Sequence, residues 1–235
     1  LGMGFGLWVE PEMVNPDSEL YRAHPDWALQ VAGRPLITAR NQLVLDMGRA
    51  EVRDYLFARL AGLLTELPIG YLKWDHNRDL TAAGELAAFR AQVLGTYALL
   101  ARLRAEFPAV EIEACAGGGG RIDAGIAQFT HRFWTSDNID AVSRVAIQRG
   151  FLQFMPPELM GSHVGAAPAH ATGRIQKMAF RNHVALPGHF GVELDLRKLN
   201  ARDLDRLGEG IARYKALRDQ LHRGQVWQGE GADGL

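Results

Sequence analysis

Short runs of β-branched and aromatic residues alternate with longer helix-period segments along almost the whole chain, and this alternation constrains the fold more than any other feature. Strands are predicted at Phe5–Glu10, Tyr71–Asp75, Ile112–Ala116, Phe133–Asp137, Gly161–Val164 and Phe190–Asp195, with a short extension at Gln42–Leu45. Between them the spacing predicts helices over about Arg49–Leu67, Glu85–Glu106, Ala141–Phe151 and Arg174–Leu186, a short one near Asp123–Phe129, and a last one ending near His222. Val52, Leu56, Leu60, Leu63 and Leu64 form the apolar stripe of the first helix, with Asp46 as its expected cap; Asn200 is expected to cap the last, with Asp203 in its first turn. Strand–helix units in series imply parallel strands joined by right-handed crossovers.

The polar residues gather at one end of these units. Glu10, Asp75, Cys115, Asp137, His163 and Asp195 each fall at or near the C-terminal end of a different predicted strand. In parallel α/β folds that end carries the functional site, and contributions from so many strands favour a closed barrel over an open sheet. The fold class expected is therefore α/β, a (β/α)8 TIM barrel that is truncated: six of eight β/α units are present and the first two are missing. The expected division is a partial catalytic barrel over residues 1–223 and a glycine-rich tail over 224–235.

Composition narrows the function classes. Twenty-six basic and 27 acidic side chains leave a formal charge of −1, which gives nucleic acid or an anionic membrane nothing to read. No apolar run reaches the roughly 18 to 20 residues of a membrane span. A single cysteine, Cys115, excludes an intramolecular disulfide and any multi-cysteine metal site. The histidines are scattered without metal-ligand spacing, so no metal site is expected.

Two segments suggest carboxylate chemistry. In Tyr71-Leu72-Lys73-Trp74-Asp75-His76-Asn77-Arg78, strand parity puts Lys73 and Asp75 on one side. A lysine there would hold the carboxylate ionised, as a nucleophile or charge stabiliser needs; an ordinary salt bridge is the bland alternative. In Phe133-Trp134-Thr135-Ser136-Asp137-Asn138 an indole able to stack on a sugar ring precedes an acid able to protonate a leaving oxygen. There the alternatives are plain core for Trp134 and a helix cap for Asp137. Glycines after Cys115 permit close backbone approach to a ligand, while no Lys-Ser/Thr pair follows to make a phosphate loop. Glu10 and Glu12 share a face by parity, but Pro11 leaves their geometry open. Arg40 stands alone before an apolar run, to hold a ligand hydroxyl or pair with a carboxylate.

Taken together these segments resemble a known family. Trp8-Val9-Glu10-Pro11-Glu12-Met13-Val14, Lys73-Trp74-Asp75-x-Asn77-Arg78, Gly118-Gly119-Gly120-Arg121-x-Asp123 and Trp134-Thr135-Ser136-Asp137-Asn138 are similar to motifs of the glycoside hydrolase family 36 α-galactosidases, the melibiases, in the family's order. Gly161-Ser162-His163-Val164 and Gly188-x-Phe190-Gly191-x-Glu193-Leu194-Asp195 extend the match nearly to the end of the chain. The resemblance implies a retaining exo-glycosidase on a β/α barrel, acting on terminal α-galactose of melibiose- or raffinose-type oligosaccharides without a cofactor. It implies Asp75 as nucleophile and Asp137 as general acid/base, a pair that retention sets roughly 5 to 5.5 Å apart. Arg40, Lys73 and Asn77 match positions bonding the galactose hydroxyls; Cys115 and Gly118 match the loop closing on the sugar, and Trp134 an aromatic beside the acid/base.

His76 departs from the pattern, since methionine is usual there. The family's aspartate pair for the galactose O4 and O6 belongs to a strand before Leu1, and its β-supersandwich and C-terminal β-domains fall outside the chain. The 235-residue piece is accordingly expected to be inactive alone. A cytoplasmic location and a homo-oligomeric parent, usually a tetramer, are implied by resemblance only. Alternatives within the same chemistry are an α-N-acetylgalactosaminidase or a galactosyl transferase; outside it, a galactoside-binding remnant.

Overall fold

A computed structural model describes residues 2–81, 86–227 and 229. The chain divides into two compact units, Leu1–His131 and Arg132–Leu235. The first contains β1 (Phe5–Val9), β2 (Met13–Val14), α1 (Glu19–Ala23), β3 (Leu43–Val44), α2 (Ala50–Glu66), β4 (Ile69–Trp74), α3 (Leu86–Glu106) and β5 (Glu111–Ala114). The second contains β6 (Arg132–Trp134), α4 (Ala141–Phe151), β7 (Met160–Gly165), α5 (Met178–Ala185), β8 (His189–Glu193) and α6 (Ala201–Arg223).

In the first unit β4 lies between β1 and β5, parallel to both, in a register that places Trp8 opposite Lys73 and Lys73 opposite Glu113. Their apolar side chains need a cover, and helices supply it: Ile69, Leu72 and Val110 are buried with Leu7, Val9, Leu64 and Phe107 packed against them. The small antiparallel pair β2–β3 folds over a second cluster of Met13, Leu29 and Val44. Strand β3 falls within the extension expected at Gln42–Leu45; β2 and α1 were not expected, because Pro11 and Pro16 read as loop punctuation, and a two-residue strand is set by tertiary contact rather than by any local period. Gln92 on α3 completes the join, accepting from the Met47 N–H (2.9 Å) and donating to the Leu45 carbonyl (2.8 Å). Three residues on, a Cβ at Gly95 would lie 1.9 Å from the Met47 carbonyl oxygen, so only glycine lets that segment sit on the helix.

In the second unit β7 lies between β6 and β8, again parallel, with His163 opposite Gly191. Val164, Met178, Ala185 and Leu207 form its core, lined further by Phe190, Leu194 and Ile211. The α4 bounds match the expected span, and Asn200 caps α6 by accepting from the Asp203 N–H at 2.8 Å.

Several boundaries differ. Asp46 does not cap α2: the helix begins behind Arg49, which gives no side-chain cap, while Asp46 accepts from the Gly48 N–H at 3.0 Å in a local turn that competes with capping. Asp123–Phe129 forms only a 3₁₀ turn at Ile126–Gln128. Strand β6 stops at Trp134, so Asp137 belongs to the loop beyond it, and α5 begins at Met178 instead of near Arg174. Glu85, expected to open α3, lies outside the described residues, as does most of the expected tail.

Candidate active site

The first unit carries Asp75 one residue past β4, its backbone N–H bonded to the Val9 carbonyl of the neighbouring strand at 2.9 Å. Oδ1 of its carboxylate accepts from the His76 backbone N–H at 2.8 Å, and Oδ2 from Trp8 Nε1 at 3.0 Å. Burial pushes this carboxyl up, but hydrogen bonds from Asn77, Trp8, Cys115 and the His76 N–H outweigh it and hold the group below the ordinary aspartate range. Contrary to the expectation from strand parity, Lys73 is not among the leading causes of that shift: its ammonium pairs with Glu113 on β5 at 3.3 Å, and the largest lowering effects at Asp75 come from neutral donors. The register explains it, since Lys73 and Glu113 are directly opposite one another.

Cys115 follows β5 and is buried, its N–H held by the Trp74 carbonyl at 2.8 Å. Burial and the neighbouring Asp75 push its thiol up to about 12, against the pull of Lys73, so it is a hydrogen-bond donor and not a thiolate. The loop then reverses through Gly117 and Gly118, with φ of 54° and 81°, a region glycine enters at little cost.

Arg40 and Asn41 also have positive φ, 54° and 57°, in a two-residue turn closed by bonds between Ala39 and Gln42. That is uncommon for an arginine and demands support. Arg78 gives it, donating to the carbonyls of Ile37 (2.8 Å), Ala39 (3.2 Å) and Gln42. Glu10 links the same turn to the strand ends: Oε2 accepts from Gln42 Nε2 (2.6 Å), and Oε1 from the Asn77 backbone (2.9 Å) and side-chain amide (2.7 Å). The structure thus brings Lys73, Asp75, Asn77 and Cys115 together, and ties the Arg40 turn to them through Glu10 and Arg78.

Glu12 answers the question Pro11 left open. It is 1% exposed and accepts from Trp74 Nε1 (2.8 Å), Arg121 (2.9 Å) and Thr96 Oγ1 (2.8 Å), with His76 Nε2 at 4.0 Å. Burial raises its carboxyl, but Arg121, His76 and the two hydrogen bonds prevail and it lies below the usual range. Burial, with Arg121, conversely lowers the His76 imidazole despite Glu12. One carboxylate therefore anchors the strand bearing Asp75 and, through Arg121, the glycine loop. Trp8 is the other residue that motif reading underrated. It is 51% exposed, with its indole N–H on Asp75, and its place two residues before Glu10 on a strand end was the available signal.

In the second unit Trp134 is buried and donates through Nε1 to Asp137 Oδ1 at 2.9 Å, leaving the Asp137 side chain exposed. The helix-cap alternative for Asp137 fails, since Asp140 caps α4, accepting from the Ser143 N–H and Oγ; Trp134 is core, as its alternative had it, and also donates a hydrogen bond. Arg144 lies over the Trp134 ring at 4.6 Å and is fixed by the Ser136 (2.9 Å) and Gly161 (3.0 Å) carbonyls. Burial pushes its guanidinium down to about 10 against Glu193 and Asp137. Asp195 is occupied as the cap of the following 3₁₀ turn. Among the described residues no cluster of His, Cys, Asp and Glu could hold a metal ion, and no helix is long and apolar enough to cross a membrane.

The melibiase family model matches residues 1–224. The chain belongs to the melibiase family. It is 49% identical over 97% of its length to an α-galactosidase of Escherichia coli and 44% identical, also over 97%, to α-galactosidase AgaA of Geobacillus stearothermophilus, covering 32% of each. The crystal structure of AgaA superposes with a TM-score of 0.90 at 45% identity, over 94% of this chain and 32% of that one. Variants of AgaA solved with raffinose and with stachyose match equally well, each with a TM-score of 0.90 at 44% identity over the same shares. The chain spans about a third of the length of the curated relatives it matches. The architecture is accordingly α/β, with six parallel strands of a truncated β/α barrel.

Proposed function

We propose that this melibiase-family chain is the catalytic barrel portion, over residues 1–223, of a retaining α-galactosidase acting on terminal α-D-galactosyl residues of oligosaccharides such as melibiose and raffinose. The observation that carries the reading is Asp75: a strand-end carboxylate held ionised by Trp8, Asn77, Cys115 and the His76 N–H. A nucleophile needs that, a charge kept available without a fixed cation sitting on it.

In the first step Asp75 attacks the anomeric carbon as the glycosidic bond breaks, and protonated Asp137 gives its proton to the departing oxygen. The products are a β-galactosyl ester of Asp75 and the leaving alcohol. In the second, water attacks the anomeric carbon, Asp137 takes its proton, the ester bond breaks, and Asp75 leaves as a carboxylate with α-galactose released. Arg40, Lys73 and Asn77 hold sugar hydroxyls, Cys115 and Gly118 close the loop on the ring, and Trp134 fixes one oxygen of Asp137 so that the other faces the leaving group.

The test is an assay of the full-length protein on an aryl α-galactoside, with Asp75→Ala beside the wild type and azide added. Wild-type turnover with α-galactose as the first-formed anomer, loss in Asp75→Ala, and rescue as β-galactosyl azide support the reading. Full activity in Asp75→Ala sinks it. A wild type active only on an α-N-acetylgalactosaminide preserves the mechanism and overturns the substrate; binding of galactose without turnover overturns catalysis altogether.

A further inference from the structure

Trp134 holds two partners that bear on Asp137. Its N–H bonds the carboxylate at 2.9 Å, and its ring stacks on the imidazole of His163 from β7, with centroids 4.1 Å apart and planes 29° from parallel. The imidazole is held in turn. Its Nδ1 lies 3.0 Å from Glu193 Oε2 at the end of β8. Gly191, directly opposite on the same strand, makes room for the ring: a Cβ there would stand 2.2 Å from His163 Cδ2 and 2.6 Å from Nε2. Strand parity puts residues 191 and 193 on one face, so β8 supplies a gap for the ring and a carboxylate for its edge. A contact to a half-exposed glutamate is weak as a stability device.

We propose that His163 is a positioning residue for the acid/base: stacked on Trp134 and oriented by Glu193, it fixes the indole whose N–H holds Asp137. The proposal rests on the reading of Asp137 as the group that protonates the leaving oxygen. Without the stack the indole can tilt, and Asp137 loses the fixed donor that orients its proton-bearing oxygen. Small misplacements of a proton donor are costly because the transfer needs hydrogen-bond reach in the transition state.

The test exploits leaving-group dependence in the full-length protein. A 2,4-dinitrophenyl leaving group departs without protonation, whereas the sugar leaving group of melibiose requires it, and kcat/KM reports the bond-breaking step for both. His163→Ala is expected to lose about 100-fold in kcat/KM on melibiose while losing less than about threefold on 2,4-dinitrophenyl α-galactoside. His163→Phe keeps a flat ring against Trp134 and is expected to recover most of the melibiose activity. If His163→Ala does not fold, His163→Leu carries the comparison. An equal loss on both substrates reveals a merely structural role, and no loss on either removes any role; both overturn the proposal. Asp137→Ala separates the two levels. If it shows the split and His163→Ala does not, the positioning role alone falls; if Asp137→Ala shows none, the acid/base reading falls and takes the proposal with it.

Discussion

Asp75 shows how neutral donors can do what a neighbouring cation was expected to do. Its ionised form is favoured by the indole of Trp8, the Cys115 thiol, Asn77 and one backbone N–H, all of which lose value if the carboxyl is protonated. Since its folded-state value lies below the ordinary aspartate value of about 3.9, the acid limb of kcat/KM should fall at a pH below that value. Removing one donor weakens the anion, so Trp8→Phe should move the acid limb to higher pH; a limb that stays put in Trp8→Phe would contradict this assignment. The pair Lys73 and Asp75 was legible in the sequence as residues on one face. That Lys73 would turn to Glu113 was not, because cross-strand register is fixed by packing between strands distant in sequence. The positive φ at Arg40 was equally invisible: nothing local asks an arginine to adopt it, and its support comes from Arg78, distant in sequence.

Elements with a strong local signal were read well from letters. Strands β4, β7 and β8 and helices α2, α4 and α6 lie within a few residues of their expected spans, because apolar period and an N-cap such as Asn200 are written locally. The failures are β2 and α1: β2 depends on its pairing with β3 and on the core beneath it, whereas α1 buries no residue and rests on its Ser18 cap within a proline-punctuated stretch. Gly95 is the sharpest case, a glycine in a helix that by propensity is a fault until the Met47 carbonyl is placed against it. Gly95→Ala should therefore destabilise the full-length protein by about 1–3 kcal/mol, contrary to the gain that helix propensity alone assigns to alanine. Urea unfolding measures this through the transition midpoint, and an unchanged or raised midpoint would contradict the close approach.

At the scale of the molecule, the shifted groups set how stability responds to acid. His76 and His222 are pushed down chiefly by burial, so the folded state binds fewer protons than the unfolded one as pH falls below about 6.5. Glu12, Asp75 and Asp140 are held below their usual values, so their contribution is complete above about 4.3 and is lost as pH falls through their lowered folded-state values. Unfolding free energy should thus decline gently below about pH 6.5 and steeply below about pH 4. Glu12→Gln, which leaves Arg121 without its carboxylate, should lower stability at neutral pH and flatten the steep part. A steep loss of the same size in Glu12→Gln would show that other groups carry it. Catalysis through Asp75 turns on one bond, between its carboxylate and the anomeric carbon of galactose. Incubation of the full-length protein with 5-fluoro-α-galactosyl fluoride, which slows breakdown of a covalent intermediate, followed by peptic digestion and mass spectrometry, locates that bond directly. A single fluorogalactosyl adduct on a peptide containing Asp75 is expected; an adduct on Asp137, Glu10 or Glu12 instead overturns the assignment of Asp75 as nucleophile.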